Sequence, residues 1–155
     1  MKKLQTNQSG FTIIEVLIVL AIAGLIMLIV FLAVPALQRN SRNTQARNDA
    51  GNVLSGVGEY ISANNGNLPT SISSATDGTV TFSGGTGTNS TQAKVQPGTS
   101  VSNGTSMPTA TNTIVVYLNR KCNGNAFASS ATNRAYAAGF VIETGGGTAG
   151  QCTES

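Results

Sequence analysis

The chain changes character twice along its length. Residues 1–10 are short, polar and basic. Phe11-Thr12-Ile13-Ile14-Glu15 then opens an apolar run, and from Val16 to Val34 every residue is uncharged and most are aliphatic. As a helix at 1.5 Å per residue, that stretch is about 28 Å long, close to the hydrocarbon thickness of a bilayer. It predicts a membrane-spanning helix, with Gly24 and Pro35 as the points where it can bend. No Ala-x-Ala site follows the run, so it reads as retained rather than lost as part of an ordinary secretory signal.

Beyond Pro35 the helical period persists in amphipathic form. Ala46, Ala50, Val53, Leu54, Val57, Tyr60 and Ile61 recur on one face, with Arg42, Arg47, Asn48, Asp49, Asn52 and Glu59 on the others. Gly51, Gly56 and Gly58 weaken an isolated helix by about 1 kcal/mol each, so packing must hold this part together. Asn64-Asn65-Gly66-Asn67-Leu68-Pro69 ends it, with Gly66 suited to a left-handed cap. The pattern thus predicts one helix from Phe11 to Ala63, about 80 Å long.

The remaining residues alternate in the manner of strands. Thr113–Leu118 and Arg134–Glu143 are the clearest, and Thr79–Ser83, Lys94–Gln96 and Thr99–Ser102 are shorter candidates in a segment rich in Ser, Thr, Gly and Asn. In Arg134–Glu143, Tyr136, Ala138, Phe140 and Ile142 share one face, which suits a small antiparallel sheet lying on the apolar face of the helix. Gly145-Gly146-Gly147 turns the chain towards Cys152. The fold class is α+β: a long N-terminal helix packed on a small β head.

Charge is sparse, at 10 % of residues, with a net +3 and pI about 9.1. The cations are scattered and no basic stripe is interleaved with aromatics, so nucleic acid binding is not indicated. Lys2 and Lys3 precede the apolar run while Arg39, Arg42 and Arg47 follow it, so charge alone does not orient the span. Cys122 and Cys152 read as a disulfide in a translocated head, which favours the C-terminal part lying outside; two buried reduced thiols are the alternative. A bridge closing about 30 residues is worth on the order of 3–4 kcal/mol in the chain-entropy account.

Catalytic and ligand chemistry find little support. There is no histidine, and the six acids follow no metal-loop spacing. The stretch Gly84–Thr91 resembles a phosphate loop only faintly and lacks its lysine. Asn89-Ser90-Thr91 and Asn103-Gly104-Thr105 are sequons of a kind common by chance in such composition. No cofactor or metal is expected. Glu15 stands apart as the only charge between Leu4 and Gln38. A carboxylate in an apolar helix costs up to about 3 kcal/mol on insertion scales and calls for a partner or a role. The alternative is a first-turn acid at the bilayer interface, favoured by the helix dipole.

Gly10, Phe11, Thr12, Ile13, Ile14 and Glu15, followed by Val16-Leu17-Ile18-Val19-Leu20-Ala21-Ile22, resemble the start of the type IV pilin family, pseudopilins included. The resemblance covers about residues 1–40. It implies a class III leader at 1–10, a transmembrane half-helix at 11–37, an amphipathic half at 38–63 and a head at 64–155. It also implies that a prepilin peptidase cleaves between Gly10 and Phe11 and methylates the new amine of Phe11. Glu15 would then meet the Phe11 terminus of a neighbouring subunit as a helical homo-oligomer assembles, driven by an assembly platform and its ATPase. The precursor would sit in the cytoplasmic membrane with its head outside, and the assembled pilus would lie on the cell surface.

The sequence departs from many members in having Leu32 and Asn52 where they carry prolines, and no acidic cluster near the C-terminus for a calcium site. The reading that follows is a non-enzymatic pilus subunit for adhesion and twitching motility. The alternatives are a pseudopilin or minor pilin of a type II secretion or DNA-uptake system and, from another class, a monomeric membrane-anchored adhesin.

Overall fold

The computed structural model describes residues 10–129, 132 and 134–155. Lys2, Lys3 and the rest of the leader expectation at residues 1–9 lie outside the described residues. The chain divides into two units, residues 1–38 and 39–155.

One helix, α1 (Ile13–Ala63), contributes to both units. It begins two residues later than the expected Phe11, because Thr12 is its N-cap and keeps a non-helical conformation. Pro35 lies inside α1 without ending it. Within the first unit, the side chains from Phe11 to Leu37 are exposed, and an 18-residue window reaches a mean hydropathy of 3.3. By length and composition this segment can cross a bilayer.

In the second unit, α1 from Arg39 onward lays Ala50, Val53, Leu54, Val57 and Tyr60 against β structure. Strands β1 (Ser71–Ser74), β2 (Thr79–Ser83) and β3 (Thr91–Lys94) form an antiparallel sheet in that order. Four more strands, β4 (Ser100–Asn103), β5 (Thr113–Leu118), β8 (Tyr136–Thr144) and β9 (Gly147–Glu154), form a second sheet in the order β4-β5-β8-β9. A hairpin of β6 (Arg120–Asn123) and β7 (Ala126–Ser129) stands separately. The core gathers Val80, Phe82, Val95, Val101, Ile114, Val116, Ala138 and Phe140 around the helix face.

Gly56 sets the distance between helix and sheet. A Cβ there would lie 2.5 Å from the Phe82 ring and 2.9 Å from Ala93, so only glycine permits this approach. The helix closes as expected at Gly66, whose N–H donates to Ile61 O at 2.8 Å, the six-to-one bond of a Schellman cap; both Asn65 and Gly66 are left-handed.

Several expectations need correction. The four-stranded sheet is mixed rather than antiparallel, since β4 runs parallel to β5 and the chain crosses over between them. The strand expected at Lys94–Gln96 falls at Thr91–Lys94, and the one expected at Thr99–Ser102 falls at Ser100–Asn103. The strand expected over Arg134–Glu143 is Tyr136–Thr144. Strands β1, β6, β7 and β9 were not expected, because their sequences carry too few large apolar residues to show a period. Main-chain pairing holds them instead: β9 follows β8 in register from Ala137↔Glu154 to Thr144↔Gly147.

β8 is buried on both faces, not one. Ala137 and Val141 are buried along with Ala138 and Phe140, and a Cβ on Gly139 would meet Phe127 of the hairpin and Met107. The hairpin also stacks Phe127 on Tyr117, ring centroids 3.3 Å apart. Asp49, expected off the apolar face, is buried, with 2 % of its surface exposed.

Candidate functional site

The apolar run begins with a reciprocal cap. Thr12 donates to the Glu15 carboxylate through its main-chain N–H at 3.2 Å and its hydroxyl at 3.0 Å, and the Glu15 N–H donates back to Thr12 Oγ1 at 3.3 Å. This is a capping box, with a Thr N-cap and a Glu three residues on. The three-residue spacing of Thr12 and Glu15 is present in the sequence, and it adds a local partner to the first-turn acid expected at Glu15. Here the Glu15 carboxylate sits at the positive end of α1 and satisfies donors that the helix itself leaves open.

Gly10 and Phe11 lie just outside the helix. Both are exposed, Phe11 at 87 %, and nothing lies within 4 Å of where a Gly10 Cβ would stand. Among the described residues, Glu15 is hydrogen-bonded to Thr12 and not to Phe11. The Phe11 nitrogen is still a peptide nitrogen joined to Gly10, so the amine that would pair with a carboxylate does not exist in the uncut chain. A sharp polar-to-apolar boundary, an accessible Gly-Phe bond and a carboxylate four residues beyond it therefore occupy one short stretch.

The cysteines lie far from that stretch in sequence. Cys122 in β6 and Cys152 in β9 are joined by a disulfide with Cα atoms 5.7 Å apart, and no cysteine among the described residues is free. Cys122 N–H donates to the Glu154 carboxylate at 2.9 Å. The bridge ties the hairpin to the edge of the four-stranded sheet and offers no thiolate for nucleophilic chemistry.

The Gly84–Thr91 stretch packs at the C-terminal end of α1. Tyr60 donates to Gly84 O, Asn64 donates to Asn89 O at 3.0 Å and accepts from Asn89 N–H at 3.1 Å, and Asn89 donates to Ala63 O at 3.1 Å. Helix carbonyls and the negative end of the dipole converge there, the wrong sign for a phosphate. The same bonds occupy the Asn89 side-chain amide, and Asn103 donates its own to Thr70 O at 3.2 Å.

Three polar attachments on the helix were not foreseen. Arg42 forks onto the Glu143 carboxylate at 2.8 and 2.6 Å. Asn43 donates to Glu143 O at 2.8 Å and accepts from Glu143 N–H at 2.7 Å. Asp49 accepts from Gln96 N–H with both oxygens at 3.1 Å, from Thr99 Oγ1 at 3.3 Å and from Gln45 Nε2 at 2.9 Å. A cavity of about 380 Å³ opens beside Asp49 between Arg42, Ile114 and Phe140. Its carboxylate is already engaged by structural donors. Apart from Gln45, four residues from Asp49 on the same helix, these partners are about 50 to 100 residues apart and no local spacing links them. Among the described residues, no group of three or more potential ligands is placed to hold a metal.

Residues 5–31 match the family model described as the prokaryotic N-terminal methylation motif. No curated protein and no solved structure matches the chain. The matched segment contains Gly10, Phe11, Thr12 and Glu15 and the first part of the apolar helix. The chain thus carries the type IV prepilin-type cleavage motif at the head of a long apolar helix, within an α+β fold of type IV pilin-like design.

Proposed function

We propose that the chain is a structural subunit of a type IV pilus. The observation that carries this reading is the exposed apolar helix from Ile13 to Leu37 placed directly after an accessible Gly10–Phe11 bond. In the precursor the segment 11–37 spans the cytoplasmic membrane, the head at 64–155 lies outside, and 38–63 joins them as the amphipathic half of α1. Prepilin peptidase removes residues 1–10 and methylates the amine of Phe11. That amine then meets Glu15 of a neighbouring copy as the apolar helices leave lipid and pack together in a filament core. An amine and a carboxylate are each costly in hydrocarbon, so their pairing fixes axial register between subunits more than it adds stability.

The fibre serves adhesion and twitching motility, with an assembly platform and ATPase supplying the work. Mass spectrometry of the mature chain tests the processing step: methylated Phe11 at the N-terminus is expected, and a retained leader would overturn it. Glu15→Ala is expected to leave membrane insertion intact while reducing filament yield; unchanged yield would remove the assembly role. Peptide mapping of sheared surface fibres separates a major pilin, which forms the main band, from a pseudopilin or minor pilin, which does not. Detergent extracts containing monomer alone, with Glu15 dispensable, would favour a membrane-anchored adhesin.

A further inference from the structure

The tip of the β8–β9 hairpin is built from Thr144, Gly145, Gly146 and Gly147, all exposed. Arg39 reaches it: Nη1 donates to Thr144 O at 3.4 Å, and a Cβ on Gly145 would stand 3.9 Å from that nitrogen. Arg39 follows Leu37, the last large apolar residue of the run, by two positions. Chain geometry therefore keeps its backbone within about 8 Å of wherever the run leaves the hydrocarbon. The headgroup layer on each face of a bilayer is about 5–8 Å deep. The hairpin tip lies within reach of the Arg39 side chain.

The charge at the tip is unbalanced. Arg39 and Arg42 stand about a single carboxylate, Glu143, which Arg42 already holds with two hydrogen bonds, so the group carries one net positive charge. Three consecutive glycines place no side chain over their peptide groups, so an anion can approach the main chain closely. A guanidinium with donors to spare suits the planar, multidentate recognition of phosphate.

We propose that Arg39 and the glycine tip of the β8–β9 hairpin form a seat for the phosphate of an anionic lipid, holding the head on the outer surface of the bilayer before assembly. This rests on the membrane-spanning reading of residues 11–37. The seat gives the glycine triplet a task beyond turning the chain, and it is vacated when the subunit leaves the membrane.

The test uses the full chain in nanodiscs of phosphatidylglycerol or phosphatidylcholine. Thr148→Cys, next to the tip and exposed, carries a fluorophore, and a headgroup spin label serves as quencher. Protection of residues 16–34 from hydrogen exchange reports insertion separately. The expected result is insertion in both lipids, with quenching about fivefold stronger in phosphatidylglycerol and this preference lost in Arg39→Gln. Insertion with equal quenching in both lipids, or with Arg39→Gln behaving like the parent, would overturn the lipid seat and leave the spanning helix standing. Failure of residues 16–34 to insert in either lipid would overturn both.

Discussion

Asn43 and Glu143, 100 residues apart, are joined as two strands would be: the Asn43 side-chain amide donates to Glu143 O at 2.8 Å and accepts from Glu143 N–H at 2.7 Å. The helix thereby completes the main-chain hydrogen bonding of β8 near its end, beside the forked pair from Arg42. Asn43→Ala would leave both main-chain groups of Glu143 without these partners in a half-buried position. The expected loss is about 1–3 kcal/mol, read from denaturant unfolding of the full chain in detergent.

Acid should loosen the head through two carboxylates, Glu143 and Asp77. The Arg42 guanidinium holds the Glu143 carboxyl below its ordinary range, and hydrogen bonds from the Thr79 main chain and hydroxyl, with Lys94, hold Asp77 down at about 2. Both groups are more acidic folded than unfolded, so each contributes stability fully above its unfolded pKa and loses it as the pH falls through its folded pKa. The melting temperature should therefore fall on acidification below the usual carboxylate range. Asp77→Asn should remove the part of that fall between about pH 4 and about pH 2, as measured by thermal melts across the series.

Asp49 is the buried acceptor that orders the Gln96–Thr99 turn. Asp49→Ala removes the acceptor and leaves the Gln96 N–H and Thr99 hydroxyl inside the protein. A loss of about 2–4 kcal/mol is expected, with amide exchange at Gln96 and Thr99 rising ahead of that in β8. Asp49→Asn should recover only part of the stability, because its NH2 would face donors.

Gly51 and Gly56 look alike on the helix and should respond oppositely to alanine. At Gly51 nothing lies within 4 Å of the added Cβ, and the helix should gain about 0.5–1 kcal/mol. At Gly56 the same Cβ would meet Phe82 at 2.5 Å and Ala93 at 2.9 Å, and the expected cost is about 1–3 kcal/mol. Paired unfolding curves of Gly51→Ala and Gly56→Ala check both signs.

Long-period features were legible in the sequence, and contacts between distant segments were not. The apolar run, the face from Ala46 to Ile61, the Gly66 cap and β5 at Thr113–Leu118 each follow from a local repeat or a single conformational demand. The motif segment was legible for the same reason, since the residues from Gly10 to Glu15 adjoin one another. Strand β9 escaped notice because Gly147–Glu154 has no apolar period and takes its structure from β8. The burial of Asp49 is not legible from helical spacing, because a turn about 50 residues away supplies its donors. The pairing of Thr12 with Glu15 is local, and their three-residue spacing marks it as a capping box.

The bond between Cys122 and Cys152 closes a covalent ring around β7, β8 and the start of β9. A single cut by a protease inside that ring, for example at Gly124–Asn125, would leave both new ends attached to the same molecule. The nicked chain would run as one band without reductant and as two with it, so the head could be clipped at this loop without shedding a fragment.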